Sequence, residues 1–309
     1  MSTQIIPLES LVFSSAPHAG TPLGQPPLPD WLRVKTGKAR QTVETDAHLK
    51  ELGIVTVCEE ARCPNIGECW SHQTATFMIC GDKCTRACAF CNVATAKPGA
   101  LDATEPQRVA QAAARLGLKY VVVTSVDRDD LGDGGSNHWV SVLRAIRQEL
   151  PGAKLEVLTP DFKGQSEHYL RVASERPDVY NHNIETVPRL YNVARRGSKY
   201  ERSLGLLRDV KMFDATIKTK SGLMTGLGET IPEIIEVLRD LKAHGVDFVT
   251  MGQYLRPTPR HLAVQKYYHP DEFEELKREG EKLGFAMVAS GPFVRSSYHA
   301  GEDFNRAKS

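Results

Sequence analysis

The sequence predicts an α/β protein built on a parallel sheet. Short apolar runs alternate with amphipathic helical patterns six times between residues 74 and 252. Parallel strands joined by crossover helices are the arrangement that produces such alternation. The runs are continuously apolar, as strands covered on both faces are. No solenoid-type repeat competes with this reading. Periodicity alone fits a doubly wound sheet and a barrel equally well.

Taken in order, residues 1–30 hold six of the eighteen prolines, including "GQPPLPD", and read as an extended, draped segment. A small basic cluster follows in "WLRVKTGKAR": Arg33, Lys35, Lys38 and Arg40. A helix is expected over 40–52, stopped by Gly53 at its C′ position. Strands are expected at 74–80, 119–126, 154–159, 179–184, 215–219 and 247–252. In "TEPQRVAQAAARLG", Thr104 and Gln107 suit a capping box, with Val109, Ala112, Ala113 and Leu116 on one face. "TIPEIIEVLRDLKAHG" repeats the device with Thr230 and Glu233, and Ile231, Ile234, Ile235, Leu238 and Leu241 form the stripe.

The 309 residues suit one α/β barrel of roughly 250 residues with extensions. Apolar residues make up 41%, and glycine brings the share into the globular range of about 45–50%. Thirty-nine basic residues against 38 acidic ones remove any whole-chain electrostatic argument for nucleic acid or an anionic membrane. No run approaches the ~20 apolar residues that span a bilayer, and mean hydropathy is −0.34. Residues 1–30 contain no Lys or Arg, so they lack the basic start of a secretory signal and the Arg-rich face of a transit peptide. A cytoplasmic protein is expected. In a reducing compartment, seven cysteines point to metal or redox chemistry rather than disulfides.

The chemistry concentrates in "GDKCTRACAFCNV", where Cys84, Cys88 and Cys91 follow the first strand as C-x3-C-x2-C. Thiolates select zinc, copper(I) or iron–sulfur clusters. Zinc wants a nearby fourth ligand. The only other cysteine close by, Cys80, lies in a buried strand and reads as core. A four-iron cluster held by three cysteines leaves one iron open. This spacing, with Phe90 just before the last cysteine, resembles the signature of the radical S-adenosylmethionine (SAM) superfamily. In that superfamily the methionine amino and carboxylate groups of SAM chelate the open iron. An electron from the cluster then cleaves the sulfonium and releases a 5′-deoxyadenosyl radical, so the cofactor carries the difficult chemistry.

A second set lies upstream in "CEEARCPNIGECW": Cys58, Cys63 and Cys69, spaced as C-x4-C-x5-C. Its four- and five-residue gaps do not match the C-x2-C spacing of a zinc knuckle, so chemical parity with the first set implies a second iron–sulfur cluster. The two motifs in this order resemble the lipoyl synthase family, and the match continues in "GPFVRSSYHAG" with Arg295, Ser296, Ser297 and Tyr298. In that family a serine of the RSSY motif supplies the fourth ligand of the auxiliary cluster. The assignment here is Ser297, with Ser296 as the fallback because spacing does not separate adjacent hydroxyls. An alkoxide matches iron less well than a thiolate, which suits a site that surrenders metal and sulfide.

The resemblance implies a partial, open (β/α)6 TIM-type barrel. Its segments are an extended N-terminal stretch (1–40), an auxiliary-cluster extension (41–73), the radical SAM barrel (74–284) and a C-terminal segment carrying RSSY (285–309). It implies insertion of sulfur at C6 and C8 of an octanoyl group on a lysine of a lipoyl carrier domain, such as an E2 subunit or the glycine-cleavage H protein. The auxiliary cluster would donate both sulfurs, a flavodoxin or ferredoxin the electrons, and an iron–sulfur carrier protein the replacement cluster. An unactivated alkyl carbon offers no handle to an acid, base or nucleophile, which leaves hydrogen-atom abstraction.

Further contacts are expected at the strand ends. Ser125, Asp127 and Arg128 in "TSVDRDDLGDGG" would bond the amino acid end of SAM, against a reading as a polar helix-capping loop. Asn183 and Glu185 in "NHNIET" would meet ribose hydroxyls, whereas His182 reads equally as a packed core histidine. The glycines of "KSGLMTGLGE" (220–229) would let backbone approach the adenosine, on a weak G-x-G signal. "RRGSKYER" adds Arg195, Arg196, Lys199 and Arg202, either a solvated face or a carrier-docking patch. Three rivals differ in class. A biotin synthase-like enzyme would lack the C-x4-C-x5-C and RSSY motifs. An iron–sulfur electron carrier would be small and closed at every iron. A zinc-dependent nucleic-acid binder would show finger spacing and a basic charge.

Overall fold

The structure, a computed structural model, describes residues 26–33, 40–71 and 76–306. Residues 74–75 of the expected first strand, Lys35, Lys38 and most of the proline-rich segment lie outside the described residues.

One eight-stranded sheet organises the chain, with strands in spatial order as in sequence. They are β1 (Val55–Thr56), β2 (Thr76–Ile79), β3 (Tyr120–Ser125), β4 (Lys154–Leu158), β5 (Val179–Asn181), β6 (Lys218–Thr225), β7 (Phe248–Gln253) and β8 (Met287–Gly291). β1 runs antiparallel to β2, and every other neighbouring pair is parallel. Before β2 come α1 (Arg40–Glu51), α2 (Val57–Glu60) and α3 (Ile66–Ser71). Six crossover helices link β2 to β8: α4 (Glu105–Arg115), α5 (Ser136–Glu149), α6 (Ser166–Ala173), α7 (Tyr200–Phe213), α8 (Ile231–Ala243) and α9 (Pro270–Lys282). A last helix, α10 (Ala300–Arg306), ends the described chain.

The expected strands form because their apolar residues bury against the helix stripes. Val121, Val123, Val157 and Val249 are fully buried with Val142, Leu143, Ile146, Ile234 and Leu238, each worth roughly 1.5–3 kcal/mol of transfer free energy. Gly53 adopts φ 58° and donates to Lys50 O at 3.0 Å, ending α1 as expected. The Thr230–Glu233 capping box is complete.

Three local expectations are corrected. Thr104 makes no capping bond; its amide and hydroxyl both donate to Asp102 Oδ1, an ionised acceptor that outcompetes Gln107. The fifth strand runs over Lys218–Thr225, not 215–219, because Asp214 ties residues 214–217 into a turn through Thr216 and the Ile217 amide. The C-terminal segment also supplies a seventh parallel strand, β8, beside β7.

The sheet is open between β8 and β1, and side chains bridge that seam. Asn65 Nδ2 donates to Phe293 O at 2.7 Å, Thr76 Oγ1 to Ser297 Oγ at 2.8 Å, and Tyr298 Oη to the Glu68 carboxylate at 2.9 and 3.0 Å. Two sheet edges that meet in this way require the sheet to curl into a partial barrel. At the N-terminal end of the barrel, Phe304 of α10 packs with Tyr120, Val179, Phe248 and Met287, the first residues of β3, β5, β7 and β8. Function is therefore left to the opposite, C-terminal mouth and to the seam.

Candidate functional site

The first cysteine loop leaves β2 through two left-handed residues, Cys80 (φ 68°) and Gly81 (φ 96°). Lys83–Cys84 then pairs in parallel with Ala94–Thr95, closing a loop that carries Cys84, Cys88 and Cys91. Arg86 pins it from beneath. Its side chain is only 4% exposed and meets Asp127 at 3.2 Å, Asp129 at 2.7 Å and Asp161 at 2.7 Å. Burial pushes Asp161 up, but Arg86 more than reverses this and holds the carboxyl at about 2. Asp127 goes the other way: burial raises it to about 6, and its Oδ1 finds no hydrogen-bond partner. The Arg86 contact to that oxygen thus carries charge without hydrogen-bond alignment. From outside, Leu262 N–H donates to Ala89 O at 3.0 Å and Ala89 N–H to Ala194 O at 2.8 Å.

All three thiols are half-buried. Burial pushes Cys88 to about 12, Cys91 to about 11 and Cys84 upward. The Cys84 charge also raises Cys91, and Cys91 raises Cys88, so the three converge on one space. Such thiols become thiolates when a metal supplies the compensating charge.

The other expected contacts divide. Asp127 Oδ2 lies 3.8 Å from Cys84 Sγ. Glu185 is near enough for its charge to raise Cys88 and Cys91, which puts it at the same mouth. It adopts φ 68° and accepts from Asn183 Nδ2 at 3.1 Å. Ser125 instead donates to Val126 O and accepts from Trp139 Nε1. Arg128 donates to Cys80 O and Gly99 O and pairs with Asp130, clamping the loop base rather than facing the opening. Phe90 packs beside Ala194, Leu227, Tyr254 and Val264. His182 is a packed histidine, bonded to Thr159 O and Ser203 Oγ, and burial pushes it down to about 3. Cys80 is 3% exposed, as a core residue should be. The G-x-G amides are occupied, since Glu229 accepts from both Gly226 and Leu227 N–H.

The basic patch is also redrawn. Arg195 is 8% exposed and donates to Asn183 O, Tyr191 Oη and Ser203 Oγ, so it is an interior scaffold rather than a docking residue.

The second cysteine set folds around two short helices. Thr56 caps α2 by accepting from Glu59 N–H, Cys63 N–H donates to Cys58 O, and Cys69 N–H donates to Asn65 O. Burial and the neighbouring thiols push Cys58 to about 11 and Cys69 to about 12. Burial also raises Cys63, and Arg295 opposes that rise. The Thr76 backbone relieves Cys58. The RSSY segment thus reaches this set directly: Arg295 acts on Cys63, while Ser297 bonds Thr76, the residue beside Cys58. Ser296 faces elsewhere, exchanging both of its hydrogen bonds with the Asn183 amide at 2.8 and 3.0 Å. A cavity of about 440 Å³, whose lining includes Cys69, Val122, Ser297 and Tyr298, adjoins the seam. Among the described residues no three His, Cys, Asp or Glu groups stand at the spacing a single ion needs. The two thiol sets supply the donor chemistry of iron–sulfur clusters.

Sequence reasoning missed Arg86, Thr76, Asn65 and Gly252, and it expected the glycines of 220–229, Gly222 among them, to face adenosine. A Cβ on Gly252 would lie 2.0 Å from Val294 O, and one on Gly222 within 3.0 Å of Thr250, Asn183 and Ser296 oxygens. For Gly252 the available signal was a glycine inside a strand-like run, which marks a close backbone approach.

Residues 78–241 match the profile of the Radical SAM superfamily. A lipoyl synthase of Rubrobacter xylanophilus is 52% identical over 280 residues, covering 91% of this chain and 87% of that protein. Among solved structures, a methylornithine synthase superposes with a TM-score of 0.51 at 16% identity, covering 69% of this chain and 70% of that one. Streptococcus suis SuiB bound to its precursor peptide SuiA gives 0.54 at 14% identity, covering 84% of this chain and 54% of that one. At such identities the structural likeness speaks for the fold alone. That fold is the TIM-type barrel expected from the motifs.

Proposed function

The chain belongs to the lipoyl synthase family of the radical SAM superfamily, and from that premise we propose how its residues divide the work. It is a radical SAM enzyme whose cofactors are S-adenosylmethionine and 4Fe–4S clusters. Its substrate is an octanoyl group on a lysine of a lipoyl carrier protein, which receives sulfur at C6 and C8. When bound, the clusters supply the electron that opens the sulfonium and the sulfur that is inserted.

Cys84, Cys88 and Cys91 hold the cluster that binds SAM. Asp127, beside Cys84, meets the amino acid end of SAM, and Asn183 with Glu185 meets the ribose. Arg128, Ser125 and Phe90 position the surrounding loops. Cys58, Cys63, Cys69 and Ser297 hold the auxiliary cluster. The observation that supports this reading is the 2.8 Å bond between Ser297 and Thr76, 221 positions earlier in the chain, whose backbone in turn acts on the Cys58 thiol. It favours Ser297 over Ser296, whose hydroxyl is already committed to Asn183.

The barrel mouth must exclude bystander hydrogens, since a primary radical attacks whatever lies closest. An open seam suits a protein-borne substrate, with E2 subunits and the glycine-cleavage H protein as carriers. A flavodoxin or ferredoxin supplies electrons, an iron–sulfur carrier protein rebuilds the spent cluster, and the setting is cytoplasmic. Among the described residues no helix is long and apolar enough to cross a membrane.

Anaerobically purified protein should carry about eight irons with matching sulfide, as two four-iron clusters require. With SAM, reductant and an octanoyl-lysine peptide it should yield lipoyl peptide by mass spectrometry. Finding one or two zincs, or intact octanoyl peptide alongside consumed SAM, would end the proposal.

A further inference from the structure

Thr76 opens β2 at the seam, and its side chain faces one of the assigned cluster ligands. We infer that Thr76 is a positioning residue of the auxiliary cluster, its hydroxyl holding and stabilising the oxygen through which Ser297 binds iron. The inference rests on the assignment of Ser297 made above.

Four observations carry it. Thr76 is 3% exposed, so its hydroxyl has little access to water and depends on a protein partner. That partner is Ser297 Oγ, at 2.8 Å. The Thr76 backbone also acts on the Cys58 thiol, so one residue touches two of the four assigned ligands. Its position is fixed by the sheet, where it pairs with Val122 of β3. Ser297, by contrast, sits in an irregular turn beyond β8.

The direction of the hydrogen bond follows from the chemistry. A serine that binds iron does so as an alkoxide, which has no proton to give. The hydrogen between the two oxygens must then belong to Thr76. A donor aimed at an anionic oxygen forms a short, charge-assisted bond and spreads the oxygen's charge. Partners of this kind fix a ligand's orientation, and their loss typically weakens metal binding about 10- to 100-fold. The serine is thus a weak ligand that is nevertheless held in place. It releases readily only when the cluster itself is dismantled.

The test compares Thr76→Val, which keeps the shape and removes the donor, with Thr76→Ser, which keeps the donor. Ser297→Ala is run alongside. Each variant is reconstituted anaerobically and exposed to a ferrous chelator. Mössbauer and EPR spectra follow the four-iron and three-iron forms of each cluster separately. Thr76→Val should lose one iron from the auxiliary cluster about tenfold faster or more. Thr76→Ser should stay near the parent rate, and the SAM-binding cluster should be unchanged in both. A parent-like Thr76→Val beside a labile Ser297→Ala would overturn the inference and leave the ligand assignment standing. Equal damage in Thr76→Ser, or loss of both clusters together, would show a packing role and overturn it as well. A parent-like Ser297→Ala would remove the ligand assignment and the inference with it.

Discussion

The two cysteine loops are built in opposite ways. The loop proposed to bind SAM is local: its thiols fall within residues 84–91, and the loop is closed by its own two-residue ladder. One buried arginine ties it to three carboxylates at the ends of β3 and β4. The proposed auxiliary site brings residues 58–69 together with residues 295–298. It is closed across an open seam by a few hydrogen bonds, of which Thr76–Ser297 and Asn65–Phe293 are between neutral groups. The difference teaches what each site must survive. On the assignment proposed above, the cluster kept through turnover would be anchored by the ion pairs of Arg86. On the same assignment, the cluster that gives up its sulfur would sit at a seam closed by side-chain hydrogen bonds rather than by a buried ion-pair network.

The largest expected effect breaks the anchored loop. Arg86→Leu would leave Asp127, Asp129 and Asp161 without their shared cation. Removing one partner of a buried ion pair costs about 3–5 kcal/mol. The denaturant midpoint should fall accordingly, and iron should be lost first from the SAM-binding cluster. Arg86→Lys should recover only part of this, because a point charge cannot satisfy three carboxylates in a fixed fork. If the auxiliary cluster were lost first, the contrast between the loops would be wrong.

The next effect breaks the seam. Gly252→Ala would place its Cβ 2.0 Å from Val294 O, a backbone atom that cannot swing aside. Overpacking against backbone belongs at the upper end of the ~1–3 kcal/mol range. The Val294–Ser297 stretch must shift, so bound iron should drop from about eight to about four. SAM cleavage should persist without lipoyl product. Gly291→Ala on the adjoining strand meets only a Val294 methyl at 3.4 Å and serves as the control. Full iron in Gly252→Ala would show that the segment reaches its site by another path.

These contrasts also explain what could be read from the sequence. The C-x3-C-x2-C loop and most strands were legible because spacing and apolar runs are local signals. β6 was misplaced because it is polar and glycine-bearing where it faces the interior. Its Lys220 pairs with Glu156 at 2.9 Å, and its Gly222 admits Ser296 and Asn183. In the one-dimensional text such residues look like a loop. β8 was hidden because its five residues are only half-buried. Arg195 resembled a surface charge run, since nothing nearby in sequence announces that Asn183, Tyr191 and Ser203 take its donors. RSSY was recognisable as a motif. The partner that separates its two serines, Thr76, lies 221 positions from Ser297 and leaves no periodic trace.

The smallest effect sharpens the same comparison through pH. Asp161 is held at about 2 in the folded protein, below its ordinary value of 3.8. A depressed carboxyl favours the folded state above the unfolded pKa, and that contribution is lost as pH falls through the folded one. The window is therefore pH 4 down to 2, and the shift corresponds to about 2 kcal/mol. Urea midpoints of cluster-free protein should fall across this window, and Asp161→Asn should flatten the slope there while lowering stability at neutral pH. The neutral seam bonds offer no such titration, so Thr76→Val should leave the slope as it is. A slope that survives in Asp161→Asn would mean that charge around Arg86 is not what distinguishes the kept loop from the spent one.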